Sequence, residues 1–489
     1  MKKMNLLVMS LVSAAALSFT SCSSNDDLEG NKADQAKVDQ FYMTLTVETP
    51  NASGTRTVQS NNYDATAAES KITSGTFFLM DSKNKIVFSK KVENLEWDKA
   101  GKTQLEIPVE KVIAGAEYKV YFLANADSED PLNSTFSATD DNKFVGDYAL
   151  ANKFAMFNEN DKNVDGNSYT VTFKDENKSK TNAAKVNKTI KLERVTARID
   201  QPTSNETSIK PYPTDENHKA TEAEKKAMAD AIAKVDKIEL TRYAISNVAN
   251  TTNIMQQWDY TPTKPQLLIP SSATGFKYIQ PTDDFGTNTL FKNAVYFNPI
   301  VKDENGKHKD YVFENNNDNA ATSMYFEYRV TLKDKANTHK DFPDGTFYRY
   351  NNVIYTSFED IFAAYNDVKG LFGGKTAEEM TKEVKAAKAT PTAEGEATVE
   401  SKLDEFRTTY KIEVFNCGKT YYKMAIKDKF IGYDNAIQRN TVYQLNVKNI
   451  FNVGAQVPNG TPDKEGLFYL DVEVSVNPWV LNSYDVELQ

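Results

Sequence analysis

The sequence predicts a mainly β fold whose second half also contains helices. Apolar and polar residues alternate in many short runs, which is the period of a half-buried strand. Clusters of Asp, Asn, Ser and Gly separate these runs, and such residues favour turns. Helix-start signals are recognised in the second half of the chain. Short strands at this spacing predict β-sandwich packing.

The first half contains only strand-like runs, and the strongest is EYKVYFLA, which places Tyr118, Val120 and Phe122 on one face. Regular alternation stops at Asp200, and a polar stretch follows to about His218. We therefore expect an N-terminal domain over 57–200 and a C-terminal domain over 201–489. The predicted strands of the first half are 41–47, 76–80, 85–88, 105–109, 117–124, 169–173 and 189–199.

The second half mixes helices with strands. Helix starts are predicted at Thr221, Ser357 and Thr376, where a hydroxyl side chain precedes an acidic residue three positions later. Apolar residues then recur at helical spacing. The three apolar faces are Met228, Ile232 and Val235; Ile361, Tyr365 and Val368; and Met380, Val384 and Ala387. Further strands are predicted at 237–244, 324–332, 410–415 and 421–426.

Composition excludes several functional classes. The 489 residues include 58 basic and 68 acidic side chains, for a net charge of -10, and no long basic run occurs. Such a chain is a poor nucleic-acid binder, because phosphate binding needs clustered cations. Only Cys22 and Cys417 are present, so neither a disulfide framework nor a Cys-rich metal site is expected.

Motifs for catalysis and for cofactor binding are weak or missing. The Gly-rich run 370–376 fails as a phosphate loop, because Lys369 stands where a Gly is required, and a glycine turn before a helix fits better. The run 161–166 matches half of a calcium loop, but Thr172 replaces the bidentate Glu, which favours a polar turn. No nucleophile motif occurs. We expect no enzyme activity, no catalytic residue, no cofactor and no metal.

The N-terminus is predicted to be a lipoprotein signal peptide over 1–21. Lys2 and Lys3 precede an apolar run, and the run ends in small residues directly before Cys22. We expect Cys22 to be lipidated, with palmitate among its acyl chains. Cleavage by the ordinary signal peptidase, which would leave Cys22 free, is the alternative. Residues 22–56 would then hold a polar tether and the first strand. The acidic patch of the tether consists of Asp26, Asp27 and Glu29. It resembles the surface-export signal of Bacteroidetes lipoproteins, and a plain linker is the alternative.

A small polar loop follows the first strand and contains Arg56 and Thr57. Exposed loops of this composition are preferred sites of proteolysis, so we predict cleavage between these two residues. An uncut surface loop is the alternative. Cleavage would allow the strand with Phe41, Met43, Leu45 and Val47 on its apolar face to leave the sheet.

The C-terminal tail is unusually apolar for a chain end. Alternation runs from Phe468 to Val476, and we expect Asn477 and Pro478 to interrupt the ladder, since proline has no N–H to donate. A strand docked in its own domain is one interpretation. The other is a donor strand for the groove of another subunit, and such head-to-tail contacts build filaments. The predicted donor residues are Val480, Asn482, Tyr484, Val486 and Leu488.

Four stretches resemble the fimbrillins of Bacteroidales, the subunits of type V pili, and most closely the shaft subunit of the short (minor) fimbriae. They are the lipoprotein start ending at Cys22, the run Thr189 to Arg198, the region from Gly418 through Arg439 and Asn440 to Gly454, and the tail VEVSVNPWVLNSYDVEL.

The resemblance implies two transthyretin-like β-sandwich domains, the second with helical insertions. It implies export as an outer-membrane lipoprotein, removal of the first strand by an Arg-specific protease of the gingipain type, and polymerisation by donor-strand exchange. Partners would be further copies of the chain, tip and anchor subunits, the protease, and the membrane before cleavage. The expected role is a cell-surface fimbria in adhesion and biofilm formation.

Two alternatives remain open. The first alternative to a shaft subunit is a fimbrial anchor, which keeps its first strand and lipid. The second is a glycan-binding surface lipoprotein that never polymerises. Trp97, Trp258 and Tyr260 are candidates for stacking on sugars, although core packing is the simpler role for each.

Overall fold

The computed structural model describes residues 39–50, 63–98, 101–138, 144–159, 169–213, 220–259, 261, 266–270, 278–279, 297–333, 341–365, 368–392, 398–428, 436–458 and 470–481. Residues 40–489 form one structural unit. Residues 1–39 form another, of which only Asp39 is described. None of the helices in the described part of the chain has the length and apolar character needed to cross a membrane.

The described residues up to Ser204 form strands and one short α-helix. They are β1 (Phe41–Glu48), β2 (Tyr63–Ala65), α1 (Ala67–Ser70), β3 (Ser74–Met80), β4 (Ile86–Glu93), β5 (Lys102–Val109), β6 (Glu117–Ala124), β7 (Thr135–Ser137), β8 (Ala149–Leu150), β9 (Lys153–Phe154), β10 (Met156–Asn158), β11 (Thr170–Thr172), β12 (Ala184–Lys185), β13 (Ile190–Arg194), β14 (Ala197–Asp200) and β15 (Thr203–Ser204).

The remainder alternates strands with five helices in the described residues. They are α2 (Glu222–Lys234), β16 (Val235–Ser246), β17 (Val248–Ala249), β18 (Thr251–Asn253), β19 (Gln257–Asp259), β20 (Gln266–Leu268), β21 (Tyr278–Ile279), β22 (Asn298–Pro299), β23 (Lys309–Val312), β24 (Ser323–Leu332), β25 (Phe347–Tyr350), β26 (Val353–Tyr355), α3 (Phe358–Ala364), α4 (Val368–Leu371), α5 (Ala377–Ala387), α6 (Val399–Tyr410), β27 (Glu413–Phe415), β28 (Lys419–Ala425), β29 (Thr441–Ile450) and β30 (Leu470–Leu481).

The prediction of a mainly β fold with helices in the second half is confirmed. A nine-stranded sheet has the order β12-β1-β13-β10-β6-β3-β4, with β11 paired to β6 and β5 paired to β1. A six-stranded sheet has the order β2-β30-β29-β14-β23, with β15 paired to β29. A four-stranded sheet, β22-β16-β24-β28, and a three-stranded sheet, β26-β25-β27, complete the larger sheets. The boundary expected at residue 200 stays a prediction.

The run predicted as one strand over 189–199 is two strands in different sheets. β13 lies in the nine-stranded sheet, and β14 lies in the six-stranded sheet. Val195 and Thr196 between them are fully buried, and the chain turns from one sheet to the other at this point. The sequence holds a local signal of this break, because the apolar residues shift from even positions at Ile190 and Leu192 to odd positions from Val195 to Ile199.

The predicted helix starts are correct at all three positions. The hydroxyls of Thr221, Ser357 and Thr376 each accept a hydrogen bond from the backbone N–H three residues later. Two details of the prediction are wrong. Val368 does not continue the helix of Ile361, because α3 ends at Ala364 and Val368 begins α4.

The second error concerns the predicted strand 410–415. Tyr410 is the last residue of α6, a helix that the sequence analysis did not predict, and the strand β27 begins only at Glu413. The helix ends at Lys411, whose φ of 55° is left-handed. Leu403 and Phe406 of α6 are buried, so helical spacing was present but was short and flanked by polar residues.

Candidate strand-exchange site

The first strand lies inside the nine-stranded sheet rather than at its edge. β5 pairs with β1 in antiparallel register along its whole length, from Phe41↔Val109 to Glu48↔Lys102. β12 and β13 pair with β1 in parallel, and they share its other edge. Both edges of β1 are therefore hydrogen-bonded to neighbouring strands.

The apolar face predicted for this strand is the face that the sheet buries. Phe41, Met43, Leu45 and Val47 are each at most 2% exposed, and all four belong to one apolar core. The intervening Tyr42, Thr44 and Thr46 are half-buried, as the two-residue period of a strand requires. The ring of Phe41 packs edge-on against Phe173, with 5.6 Å between centroids.

The backbone of β1 is anchored until just before the predicted cleavage loop. Thr49 donates from its backbone N–H to the carbonyl of Gly101 at 2.9 Å, and its hydroxyl donates to the same oxygen at 3.3 Å. Glu48 is buried, and its carboxylate lies 3.8 Å from Lys102 Nζ. Cys22, Arg56 and Thr57 lie outside the described residues.

The C-terminal strand changes partner near its end. β30 pairs with β29 in antiparallel register from Leu470↔Ile450 to Pro478↔Thr441. It then pairs with β2 in parallel, with Tyr63↔Trp479 and Ala65↔Leu481. The expected interruption at Pro478 is therefore wrong: the strand continues, and proline lies where one partner strand is replaced by the other.

Only one predicted donor residue falls in the described part of the tail. Val480 lies in β30, where its backbone pairs with Asp64 of β2. Asn482, Tyr484, Val486 and Leu488 lie outside the described residues. The described tail is therefore docked in its own chain up to Leu481.

Trp479 is the most enclosed large residue of the tail. Its side chain has no exposed surface and belongs to the same apolar core as β1. Tyr311 stacks on the indole at 5.8 Å between centroids, and Phe154 meets it edge-on at 5.6 Å. The guanidinium carbon of Arg194 lies 4.2 Å from the ring centroid, and that of Arg198 lies 5.5 Å away. Aromatic and cation–π contacts of this kind are strongest when they are desolvated.

The buried guanidinium of Arg194 joins three separate segments. Its Nη1 donates to the carbonyl of Trp479 at 3.0 Å, and its Nε donates to the carbonyl of Glu69 at 2.9 Å. Nη2 donates to the hydroxyl of Ser70 at 3.2 Å, and Nη1 also reaches Asn440 Oδ1 at 3.1 Å. Burial lowers the pKa of Arg194 to about 9, so it still carries a charge at neutral pH.

Arg198 and Glu69 form the ion pair beside it. Nη1 of Arg198 lies 2.9 Å from Glu69 Oε1, and its Nε donates to Asp200 Oδ1 at 2.8 Å. Burial lowers the pKa of Arg198, but Asp200 and Glu69 outweigh that effect and raise it. For Glu69, a carboxylic acid, burial acts in the opposite direction and raises the pKa. Arg198, the backbone N–H of Thr66 and the hydroxyl of Tyr311 outweigh burial and lower the pKa.

These residues form one cluster around the tail. We call it the Trp479 cluster and define it as Glu69, Arg194, Arg198, Tyr311 and Trp479.

Three of the stretches that carry the family resemblance meet at this cluster. Arg194 and Arg198 come from the first of them, Asn440 from the second and Trp479 from the tail. The backbone N–H of Trp479 also donates to the carbonyl of Asn440 at 3.2 Å. Sequence reasoning did not predict this meeting. The only signals were two arginines in a strand-like run and a tryptophan in the tail.

The other candidates are explained by packing. Gly373 and Gly374 have positive φ and precede the helix cap at Thr376, as expected of a glycine turn. Trp258 is buried, and its Nε1 donates to Gln256 at 2.9 Å; Trp97 is half-buried, and its Nε1 donates to the carbonyl of Ile72 at 3.1 Å. Tyr260 and the run 161–166 lie outside the described residues.

Comparison with known families matches both halves of this site. Residues 42–194 match the family described as major fimbrial subunit protein (FimA). Residues 413–485 match the family described as major fimbrial subunit protein type IV, fimbrillin, C-terminal. The resemblance to fimbrillins is confirmed. Two separate parts of the chain are thus similar to major fimbrial subunit proteins. No curated protein matches the sequence.

Solved structures give weaker similarities. A putative cell adhesion protein from Parabacteroides distasonis ATCC 8503 is 12% identical at a TM-score of 0.44, covering 91% of this chain and 98% of that chain. One from Bacteroides eggerthii DSM 20697 is 10% identical at 0.43, with 91% and 98% covered. The fimbrial anchor protein Mfa2 from Porphyromonas gingivalis is 9% identical at 0.22, with 91% and 100% covered. Similarities at these TM-scores carry no argument about function.

Proposed function

We propose that the chain is a shaft subunit of a surface fimbria, close to the shaft subunit of the short fimbriae, and that it polymerises by protease-triggered donor-strand exchange. The precursor is an outer-membrane lipoprotein anchored through Cys22. Cleavage between Arg56 and Thr57 removes β1, and the tail of another subunit takes its place. The filament, with its tip and anchor subunits, serves adhesion and biofilm formation.

The position of β1 supports this proposal. Its removal would open a groove between β5 on one side and β12 with β13 on the other, with unpaired backbone groups along both edges. Four apolar pockets would lose Phe41, Met43, Leu45 and Val47. The burial of each of these side chains stabilises the core by roughly 1.5–3 kcal/mol, and this free energy is lost when the strand leaves. An empty groove is therefore costly, and a strand with alternating apolar side chains would fill it.

The tail has the pattern that such a groove selects. Val480, Tyr484, Val486 and Leu488 would share one face of an extended strand with Asn482, and β-strand addition takes its specificity from alternate side chains. Ordering the tail costs about 1–2 kcal/mol per residue. Much of the net affinity must therefore come from new ladder hydrogen bonds and from filling the groove. We expect assembled filaments to persist because release is slow.

The first test is N-terminal sequencing of the protein from the cell surface, together with a gel of unboiled sample. A start at Thr57 and a ladder that resists SDS are the expected results. A blocked start at Cys22 with a monomer band would refute the shaft role and leave an anchor or a glycan-binding lipoprotein.

A second test addresses the donor strand with a matched pair of variants. Val486→Asp puts a charge on the apolar face and should abolish the ladder, because an unpaired charge cannot enter an apolar pocket. Ser483→Asp puts the same charge on the opposite face of the strand and should leave assembly intact. Polymer from Val486→Asp at the wild-type level would remove the donor assignment.

A further inference from the structure

The segment that follows the predicted cleavage site holds the base of the tail. β2 pairs with Trp479, Val480 and Leu481, and α1 comes directly after β2 in the chain. Arg194 donates to the backbone of Glu69, to Ser70 and to the backbone of Trp479. One buried guanidinium therefore connects residues 63–70 to the last described residues of the C-terminal strand by hydrogen bonds.

These contacts form one unit rather than a set of independent bonds. The hydrogen bonds that the structure describes for the Arg194 guanidinium go to neutral oxygens, and Glu69 balances the local charge while it binds Arg198. A buried cation is tolerated only when its hydrogen bonds are satisfied. Moving Trp479 away would remove both a carbonyl acceptor and the ring beside Arg194, and so would leave that cation with fewer partners.

The segment 63–70 also remains when β1 is removed. Its strand pairing and hydrogen bonds are with β30, Arg194, Arg198, Tyr311 and Asn152, whereas the strands paired with β1 are β5, β12 and β13. Trp479 shares an apolar core with β1, but cleavage after Arg56 would leave its hydrogen bond from Arg194 and its pairing with β2 in place.

We propose that the Trp479 cluster is a fixed pivot that holds the C-terminal strand through Leu481 before and after cleavage, so that only the residues beyond Leu481 exchange. Arg194 is its positioning residue. The inference rests on the proposed function and narrows it: Val480 stays paired with β2, and the pivot sets the point from which the donor strand leaves its own subunit.

The test separates donating from accepting a strand. Arg194→Gln and a matched control, Arg329→Gln on the exposed side of β24, are made in the full precursor and cleaved by an Arg-specific protease. Acceptor competence is the affinity of the cleaved subunit for a labelled peptide of residues 482–489. Donor competence is the rate at which the cleaved subunit joins wild-type seeds that carry an empty groove.

We expect Arg194→Gln to bind the peptide as the wild type does and to lose about tenfold or more in the rate of donation, since hydrogen bonds from a charged group are worth at least that factor. The control should keep both. Wild-type donation by Arg194→Gln would overturn the inference, and so would an equal loss of both competences, which indicates a purely structural role. If the wild type itself neither binds the peptide nor polymerises, the proposed function fails instead.

A second measurement needs no variant. Hydrogen exchange of the wild-type chain should show the amides of Trp479 and Leu481 equally protected in the cleaved monomer and in the polymer. Protection of these amides that is lost or gained on polymerisation would show that they take part in the exchange, and would overturn the pivot.

Discussion

At two glycines in the matched C-terminal region, the backbone comes too close to a neighbour to leave room for a side chain. A Cβ on Gly418 would lie 2.6 Å from the carbonyl oxygen of Val330, and its φ is +70°. A Cβ on Gly454 would lie 2.8 Å from the ring of Tyr422. Next to Gly454, Tyr421 and Ala455 exchange two backbone hydrogen bonds of 2.8 Å. These contacts explain physically why both positions need glycine.

Gly454→Ala is therefore expected to lower the free energy of unfolding by about 1–3 kcal/mol, the usual cost of overpacking. Gly370→Ala is the matched control, because nothing lies within 4 Å of its added Cβ and it stands in a helix. That change should raise stability by about 0.5–1 kcal/mol. Denaturant unfolding measures both, and equal effects of the two variants would contradict the close approach at Gly454.

Glu69 gives the protein a specific response to acid. Its pKa is lowered in the folded chain from the ordinary value of 4.5. A depressed pKa means that the carboxylate stabilises the fold above pH 4.5 and that this contribution is lost as the pH falls through the folded pKa. We expect the free energy of unfolding to decline below about pH 4.5 less steeply in Glu69→Gln than in the wild type.

Glu222→Gln is the control for that measurement, since Glu222 is an exposed partner of Lys225. Its stability should follow the wild-type curve at every pH. A Glu69→Gln profile with the same slope as the wild type would show that the ion pair with Arg198 does not contribute to acid sensitivity.

Among the elements, β1 is part of the apolar core of the precursor, although we propose that proteolytic cleavage removes it from the mature subunit. Leu45 is 1% exposed within it, and its backbone pairs with Leu105 of β5. Leu45→Ala should lower the free energy of unfolding of the uncleaved precursor by about 2–5 kcal/mol, the usual cost of such a cavity. The mature polymer should be unchanged, because it no longer contains the strand.

Thr46→Ala serves as the control, because Thr46 is on the opposite, half-buried face of β1. It should affect the precursor far less. A mature polymer destabilised by Leu45→Ala would show that β1 stays in the assembled fimbria.

The elements also show where sequence reasoning succeeds and where it stops. The alternation in β1 and the caps at Thr221 and Thr376 are local signals, and each was read correctly. The separation of β13 from β14 depends on which sheet each joins, and that is fixed by contacts distant in sequence. The same holds for Pro478, after which β2 follows β29 as the partner of a continuous strand.

Across the whole molecule, the helical insertion has a core of its own. The buried residues of that core all lie between Phe342 and Val414, and they include Met380 and Leu403. β25 separates it from the main core: Phe347 faces the main core, and Tyr348 faces the helices, as the alternation of a strand requires. Such a local unit can open separately from the sheets.

We expect Met380→Ala to lower the opening free energy of α3, α5 and α6 by about 2–5 kcal/mol and to leave β16 and β24 unchanged. Met324→Ala is the matched control, because Met324 is equally buried but lies in the main core. It should destabilise the sheet. Hydrogen exchange resolved by residue would measure both, and loss of protection spread over both regions by Met380→Ala would contradict a separate unit.

The Trp479 cluster illustrates what no local pattern could reveal. Glu69, Arg194, Tyr311 and Trp479 come from four distant parts of the chain. The tail suggested strand donation because its alternation is visible in one segment. Its anchoring was not predictable, since it depends on the tertiary placement of two arginines and a glutamate.

The antiparallel ladder between β29 and β30 determines how a filament would bear mechanical load. In the proposed fimbria, tension applied through the tail enters β30 at Leu481 and acts along the strand. Ladder hydrogen bonds run perpendicular to the strands, so the pairs from Pro478↔Thr441 to Leu470↔Ile450 are sheared together instead of being peeled apart one by one. Each subunit would thus resist a pulling force through the whole β29–β30 ladder loaded in shear. Cys417, the cysteine within the described residues, forms no disulfide that could carry part of this force.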